Sequence, residues 1–315
     1  MTDFIKNQAA TEYVMGAIER AKLSHAYILC GQDDILLDIF ADFFINAILC
    51  ENSAENPPFC KKCSNCIKMK NKTHPDIMTL DNEGNIKIEQ IRAITRDIHI
   101  LPNEAQKKLY VIKNAQNMTT SAQNSLLKAL EEPTGHVVFL LLADSKSSLL
   151  PTVCSRSIIL QMSPLPQQEI LHYLKKSMPE TAQENISCAA KVADGSISAA
   201  ISFLESLDNE TLTTVKAMLN CLNNRSKYGY VRQCQKLQKS RDFFINTIKI
   251  FTAILYQIVI LRKNIFDDVS CDAITNKHAY RLFVEANTAI SAINANASLK
   301  LTAINFLCRS LDEWA

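Results

Sequence analysis

Five short apolar runs, separated by stretches of helix length, constrain this chain more than any other feature. They are Ala26–Cys30, Ile77–Leu80, Leu109–Ile112, Val137–Leu142 and Ile158–Leu160. Runs this short with no polar alternation belong to strands covered on both faces. Between and before them the pattern changes to a helical period. Residues 4–22 place Ile5, Ala9, Ala10, Val14, Ala17, Ile18 and Ala21 on one side, and 35–49, 88–98 and 119–131 read the same way. Strands alternating with helices predict an α/β domain with a parallel sheet and helices on both faces.

After Pro164 and Pro166 the strand signals stop. Residues 167–205 read as short helices broken at Gly195-Ser196, and from 208 onward the pattern is helical apart from a polar loop between Arg262 and Asp272. The expected domains are 1–164, a small helical domain at 165–207 and an all-α domain at 208–315. A chain of 315 residues is in any case long for one core. The longest apolar stretch, Ile250–Leu261, falls short of the ~20 residues of a membrane span and reads as a buried helix. Met1–Lys6 lacks the apolar core of a secretion signal, so a cytoplasmic protein is expected. A net charge of +2 does not by itself demand a nucleic-acid partner.

In that compartment the 11 cysteines are expected to be free or metal-bound. Cys50, Cys60, Cys63 and Cys66 have the spacing C-x9-C-x2-C-x2-C. Two intervening residues let neighbouring thiols reach one ion from a tight turn, and four thiolates complete the tetrahedral shell that zinc favours. Pro57 and Pro58 keep the intervening loop out of helix, and Lys61, Lys62, Lys68 and Lys70 offset the site's negative charge. With no position left for water, such a zinc is structural. Cysteine ligation alone also fits an iron–sulfur cluster.

A strand ending in glycine and followed by a helix is where a phosphate-binding loop would sit. The required pattern is G-x-x-x-x-G-K-S/T, and here only Gly31 matches. Leu36 and Leu37 stand at the second glycine and the lysine, and Asp38 replaces the hydroxyl that would hold magnesium. Asp33, Asp34 and Asp38 would repel a triphosphate. The strand at 109–112 should end in magnesium-binding acids but runs into Lys113-Asn114. Two separate defects predict no ATP hydrolysis by this chain.

Several segments resemble the bacterial clamp-loader AAA+ family. They are Ser24-His25-Ala26-Tyr27, the run Asn124–Pro133 (NSLLKALEEP) and the run Leu150–Ser157 (LPTVCSRS). The cysteine insert sits where that family carries its zinc module. Gly195-Ser196 resembles its second-domain turn, and Asn294, Asn296 and Leu299 resemble its last-helix pattern. The likeness implies an AAA+ P-loop-type domain, a small helical domain and a C-terminal collar. Gamma and tau subunits of the family keep an intact phosphate loop, so the broken loop points to the delta prime branch. That branch implies a hetero-oligomer with gamma or tau and delta subunits, acting on a sliding clamp and primed DNA. The family motif Ser-Arg-Cys reads Ser155-Arg156-Ser157 here, departing at the third position. By resemblance, Arg156 reaches the ATP site of an adjacent subunit and Ser155 positions its turn.

Read from the residues alone, Arg156 is a surface arginine between two strands paired with a local acid. Glu131-Glu132-Pro133 reads as a helix end and turn, not a catalytic acid pair. His25 reads as a hydrogen-bonded structural residue, and Lys107-Lys108 with the cysteine-segment lysines Lys61, Lys62, Lys68 and Lys70 as solvated or in contact with DNA phosphates. Two rival functions stand beside the delta prime type: a gamma/tau-type ATPase, and a zinc-dependent nucleic-acid-binding protein.

Overall fold

The computed structural model describes residues 7–52, 58–82, 84–260 and 274–311, without side chains for 258–260. Residues 4–6 of the expected helix 4–22, Pro57 and the polar loop at 262–272 lie outside the described residues. The chain divides into two compact units, 1–165 with 196–198, and 166–195 with 199–315.

The first unit holds a five-stranded sheet in the order β2-β3-β4-β1-β5. Its strands are β1 (Ala26–Cys30), β2 (Ile77–Leu80), β3 (Lys108–Ile112), β4 (Val137–Ala143) and β5 (Ile158–Gln161), and every neighbouring pair is parallel. Each of the five apolar runs is thus a strand. Every residue of the inner strands β1, β3 and β4 is buried, as their unbroken hydrophobicity requires. The edge strands β2 and β5 are partly exposed. Among the described residues, six α-helices accompany the sheet: α1 (Gln8–Glu19), α2 (Asp34–Leu49), α3 (Ser64–Lys70), α4 (Ile88–Asp97), α5 (Thr120–Glu131) and α6 (Pro151–Cys154). On the sheet, Tyr110 stacks on Phe139 at 5.4 Å between centroids, and Tyr27 meets Phe44 edge-on at 4.8 Å.

Helix starts in this unit follow their capping residues. Asp33 caps α2 and Thr119 caps α5 through side-chain oxygens. Pro151 opens α6, where its missing N–H costs nothing. Parallel strands align their C-terminal ends, so the loops after β1, β2, β3 and β4 converge at one edge. Open α/β sheets bind ligands at this edge.

The second unit is helical among the described residues. It contains α7 (Gln167–Ser177), α8 (Gln183–Val192), most of α9 (Ile197–Ser206), α10 (Asn209–Asn223), α11 (Lys227–Lys236), α12 (Arg241–Ile260), α13 (Asn276–Asn294) and α14 (Leu299–Leu311). Phe244, Phe251 and Phe306 are fully buried in its core, with Phe251 edge-on to Phe306 at 6.4 Å. Gly229 in α11 packs so tightly that a Cβ there would lie 2.8 Å from Cys221 Sγ. No helix among the described residues is long and apolar enough to cross a membrane.

Candidate functional site

The chain leaves β1 at Gly31 and enters α2 three residues later, at Asp34. Gly31 has a packing reason of its own: a Cβ there would lie 3.1 Å from the Cβ of Met162. Asp33 does not face the expected phosphate region, which corrects the sequence reading. Its carboxylate is buried and accepts from the backbone N–H groups of Ile35 and Leu36, each at 3.1 Å. It also accepts from the N–H groups of Ile197 and Ser198 and from Ser198 Oγ at 2.6 Å, all within the same compact unit.

The remaining two aspartates of the loop, Asp34 and Asp38, line a cavity of about 110 Å³ at the C-terminal edge of the sheet. Ligand pockets for drug-sized molecules run to roughly 300–1,000 Å³, so this one is small. Asp81 after β2 and Asp144 after β4 also line it, and the sequence reading missed both. Lys113, directly after β3, projects into this acidic cluster. Its Nζ lies 2.8 Å from Asp38 Oδ2 and 3.5 Å from Asp81 Oδ2. The next residue, Asn114, turns the chain through left-handed φ of 51°, a conformation asparagine tolerates.

The charges here are the reverse of those a magnesium–triphosphate needs. An acid stands at the hydroxyl position, a leucine at the lysine position, and a lysine at the end of the strand that should carry acids. Burial alone would lower the Lys113 ammonium, but Asp38 and Asp81 outweigh it and raise its pKa. Burial, then the neighbouring Asp33, Asp38 and Asp144, raise that of Asp34 against the pull of Lys113. The cation that faces these acids is supplied by the chain itself.

Arg156 follows the short helix α6 at the sheet's β5 edge. Its Nη2 lies 2.7 Å from Glu131 Oε1. Its Nη1 donates to the Thr152 carbonyl at 3.1 Å and to Ser155 Oγ at 3.3 Å. Arg156 is therefore paired with a local acid in this chain, as one of the two readings expected. Glu131 does end α5, but its part as the arginine's partner was not legible. Ser157, the departure from the family motif, donates to the Val153 carbonyl at 3.0 Å and leaves the guanidinium untouched. Isolated ion pairs this exposed are worth about 0–1 kcal/mol.

The four cysteines converge. The Sγ atoms of Cys50, Cys60, Cys63 and Cys66 all lie within 4.8 Å of one another, and Cys60 and Cys66 are 4.0 Å apart. Zinc–sulfur bonds of ~2.3 Å set tetrahedral edges of roughly 3.8 Å, so the donor set fits that ion. Backbone N–H groups point at the sulfurs: Cys60 donates to Cys50 at 3.2 Å, Cys63 to Cys60 at 3.3 Å and Cys66 to Cys63 at 3.4 Å. N–H donation from Lys62, then from Cys63, outweighs desolvation and brings the Cys60 thiol down to about 6, whereas burial raises Cys50 and Cys66. The buried Asn65 side chain ties α3 to the end of α2 by donating to the Leu49 carbonyl at 3.0 Å. This cluster can hold a metal ion in a closed shell.

Beyond the cluster, Asp76 is fully buried before β2 and accepts from the N–H groups of Asn103, Glu104 and Ala105 and from the Asn103 side chain. Burial pushes its carboxyl up, but these donors win and hold it below the ordinary range. His25 departs from expectation. Its carbonyl accepts from Phe139 N–H at 2.8 Å, yet its buried Nε2 has no hydrogen-bond partner among the described residues. Of the lysines considered for DNA, Lys107 donates to the Gly135 carbonyl, Lys108 pairs with Asp97 at 2.7 Å and Lys68 pairs with Glu104.

Comparison with known proteins decides the family. The model described as "DNA polymerase III, delta subunit" matches residues 6–166, half of the chain. The chain belongs to the DNA polymerase III delta subunit family. Among relatives of this clamp-loader family, the delta' subunit of Bacillus subtilis is 35% identical over 160 residues, covering 49% of this chain and 46% of that protein. The gamma subunit of Buchnera aphidicola subsp. Schizaphis graminum is 26% identical over 230 residues, covering 69% and 63%. The chain thus spans less than two thirds of either relative. A gamma subunit-related protein from Thermotoga maritima aligns over 97% of this chain and 100% of its own, at 17% identity and a TM-score of 0.44. The parallel α/β sheet with flanking helices, followed by a helical region, was expected from the sequence and is the fold observed.

Proposed function

We propose that this chain is a delta prime-type subunit of a DNA polymerase III clamp loader that does not hydrolyse ATP itself. The observation that carries the reading is the Lys113–Asp38 pair, which puts a protein cation and a protein anion where magnesium and phosphate would meet. In this reading Arg156 serves the ATP site of an adjacent gamma or tau subunit. A guanidinium stays charged and donates several fixed hydrogen bonds, which suits the charge that develops in phosphoryl transfer. Ser155 holds that guanidinium near α6. The chain also braces the delta subunit, and the hetero-oligomer places a sliding clamp on primed DNA in the cytoplasm. Domains at 1–164, 165–207 and 208–315, the last forming a collar with its partners, belong to the same proposal.

Zinc held by Cys50, Cys60, Cys63 and Cys66 would supply a structural cross-link between the end of α2 and the start of α3. Metal analysis of the purified chain should return one zinc per chain, and Cys63→Ser should lose both the zinc and part of the folding stability. Full stability without zinc would remove its structural role.

The test of function is ATP turnover by the loader reconstituted with partner subunits, clamp and primed DNA. Arg156→Ala in this chain should assemble normally and lower turnover. Unchanged turnover would refute the action in trans.

The gamma/tau alternative draws on the 26% identity to a gamma subunit, and it expects the isolated chain to bind and cleave ATP. A zinc-dependent nucleic-acid-binding protein would show salt-sensitive DNA binding that vanishes when Cys60 is replaced. The delta prime reading expects weak DNA binding by the chain alone.

A further inference from the structure

Arg156 is held against its own subunit by a carboxylate from a different helix. Glu131 is the last residue of α5, where the helix dipole disfavours an anion. An acid retained at such a position is stabilised by a nearby cation, and the Arg156 Nη2 supplies it at 2.7 Å. The other two contacts are of a different kind. The Thr152 carbonyl and Ser155 Oγ sit on or beside α6, move with the arginine and carry no net charge. Glu131 is the one ionic competitor for the guanidinium among the described residues. The side chains of Arg156 and Glu131 remain 35% and 50% exposed, so an incoming anion can reach the pair.

We propose that Glu131 is a latch on Arg156: a positioning residue that keeps the guanidinium folded over α6 until nucleotide phosphates displace it. This rests on the reading that Arg156 acts on a neighbouring subunit. A polyphosphate offers more charge than one carboxylate and can accept two parallel N–H bonds from the same fork. The Nη1 contacts survive the exchange, so the guanidinium changes its acceptor without a large excursion. The latch therefore sets the ATP concentration at which the arginine engages and leaves the chemical step alone.

The experiment is a steady-state ATP titration of the reconstituted loader carrying this chain, with clamp and primed DNA. Glu131→Gln keeps the shape and a neutral acceptor while removing the charge. Its KM for ATP should fall by about threefold with kcat unchanged, the scale of one exposed charge pair. In an Arg156→Ala background, Glu131→Gln should change neither constant. A raised KM or a lowered kcat from Glu131→Gln would overturn the latch, because the acid would then be aligning the arginine. So would an unchanged KM while Arg156→Ala still impairs turnover, and that result would leave the trans role standing. An effect of Glu131→Gln that persists without Arg156 would also overturn it. Should Arg156→Ala have no effect at all, the trans reading fails and the latch fails with it.

Discussion

Lys113 with Asp38 and Arg156 with Glu131 are ion pairs of similar length, 2.8 Å and 2.7 Å, and of similar partial exposure. Pair geometry does not distinguish them; their surroundings do. Around Lys113 stand four aspartates, Asp34, Asp38, Asp81 and Asp144, lining one small cavity. Removing the lysine would leave those acids facing one another. Arg156 has one acid, a backbone carbonyl and a hydroxyl on an open surface. Removing Glu131 leaves the arginine free to find another anion. The same chemistry sets a lysine among the acids of a small cavity in one place and pairs an arginine with a single acid on an open surface in the other.

The largest effect is expected on the open side. In the proposed trans role, Arg156→Ala should cut single-turnover hydrolysis at the neighbouring site by about 10³-fold or more, the scale of trans-acting arginines. Equal loss from Lys113→Met would erase the distinction between the two pairs.

Asp76 sharpens the comparison as a carboxylate that is fully buried, unlike either pair. Asp76→Ala leaves three backbone N–H groups of the 103–105 turn without their acceptor and should cost about 3 kcal/mol in urea unfolding. Its folded pKa is depressed, so this stability is fully present above the unfolded value of about 3.9 and is lost as pH falls through the folded one. A pH-independent cost between 7 and 3 would contradict the assignment.

A smaller effect is expected from the closed pair. Lys113→Met should cost about 1 kcal/mol or less, because both partners are partly exposed. The folded pKa of Lys113 is raised. Its contribution is therefore complete below the unfolded value of about 10.4 and disappears as pH rises through the folded one. Added salt should also shrink the difference between wild type and variant, and urea titrations at two ionic strengths would read this.

The sheet and the cysteine cluster were legible because their signals are local. Unbroken apolar runs such as Val137–Leu142 mean burial on both faces, and C-x2-C-x2-C means one ion within reach of one turn. The broken phosphate loop was legible for the same reason, as the wrong residues occupy fixed offsets from Gly31. What fills its place was not. Lys113 and Asp38 are 75 residues apart, and Glu131 and Arg156 are brought together only by the packing of α5 and α6. Asp33 was misplaced because its acceptor role is fixed by Ile197 and Ser198, more than 160 residues away. Asp76 gave no signal, since a lone aspartate before a strand looks like any turn residue. Charge pairing across a fold depends on topology, and spacing along the chain does not carry it.

In the proposed function, Lys113 and the aspartates around it occupy the place where a nucleotide would bind. Calorimetric titration of the isolated chain with magnesium–ATP tests it most directly. No heat of binding up to about 1 mM ATP, above the micromolar range in which functional sites commonly saturate, is the expected result. Saturable micromolar binding that releases phosphate, and that disappears on substituting Asp38, would contradict it.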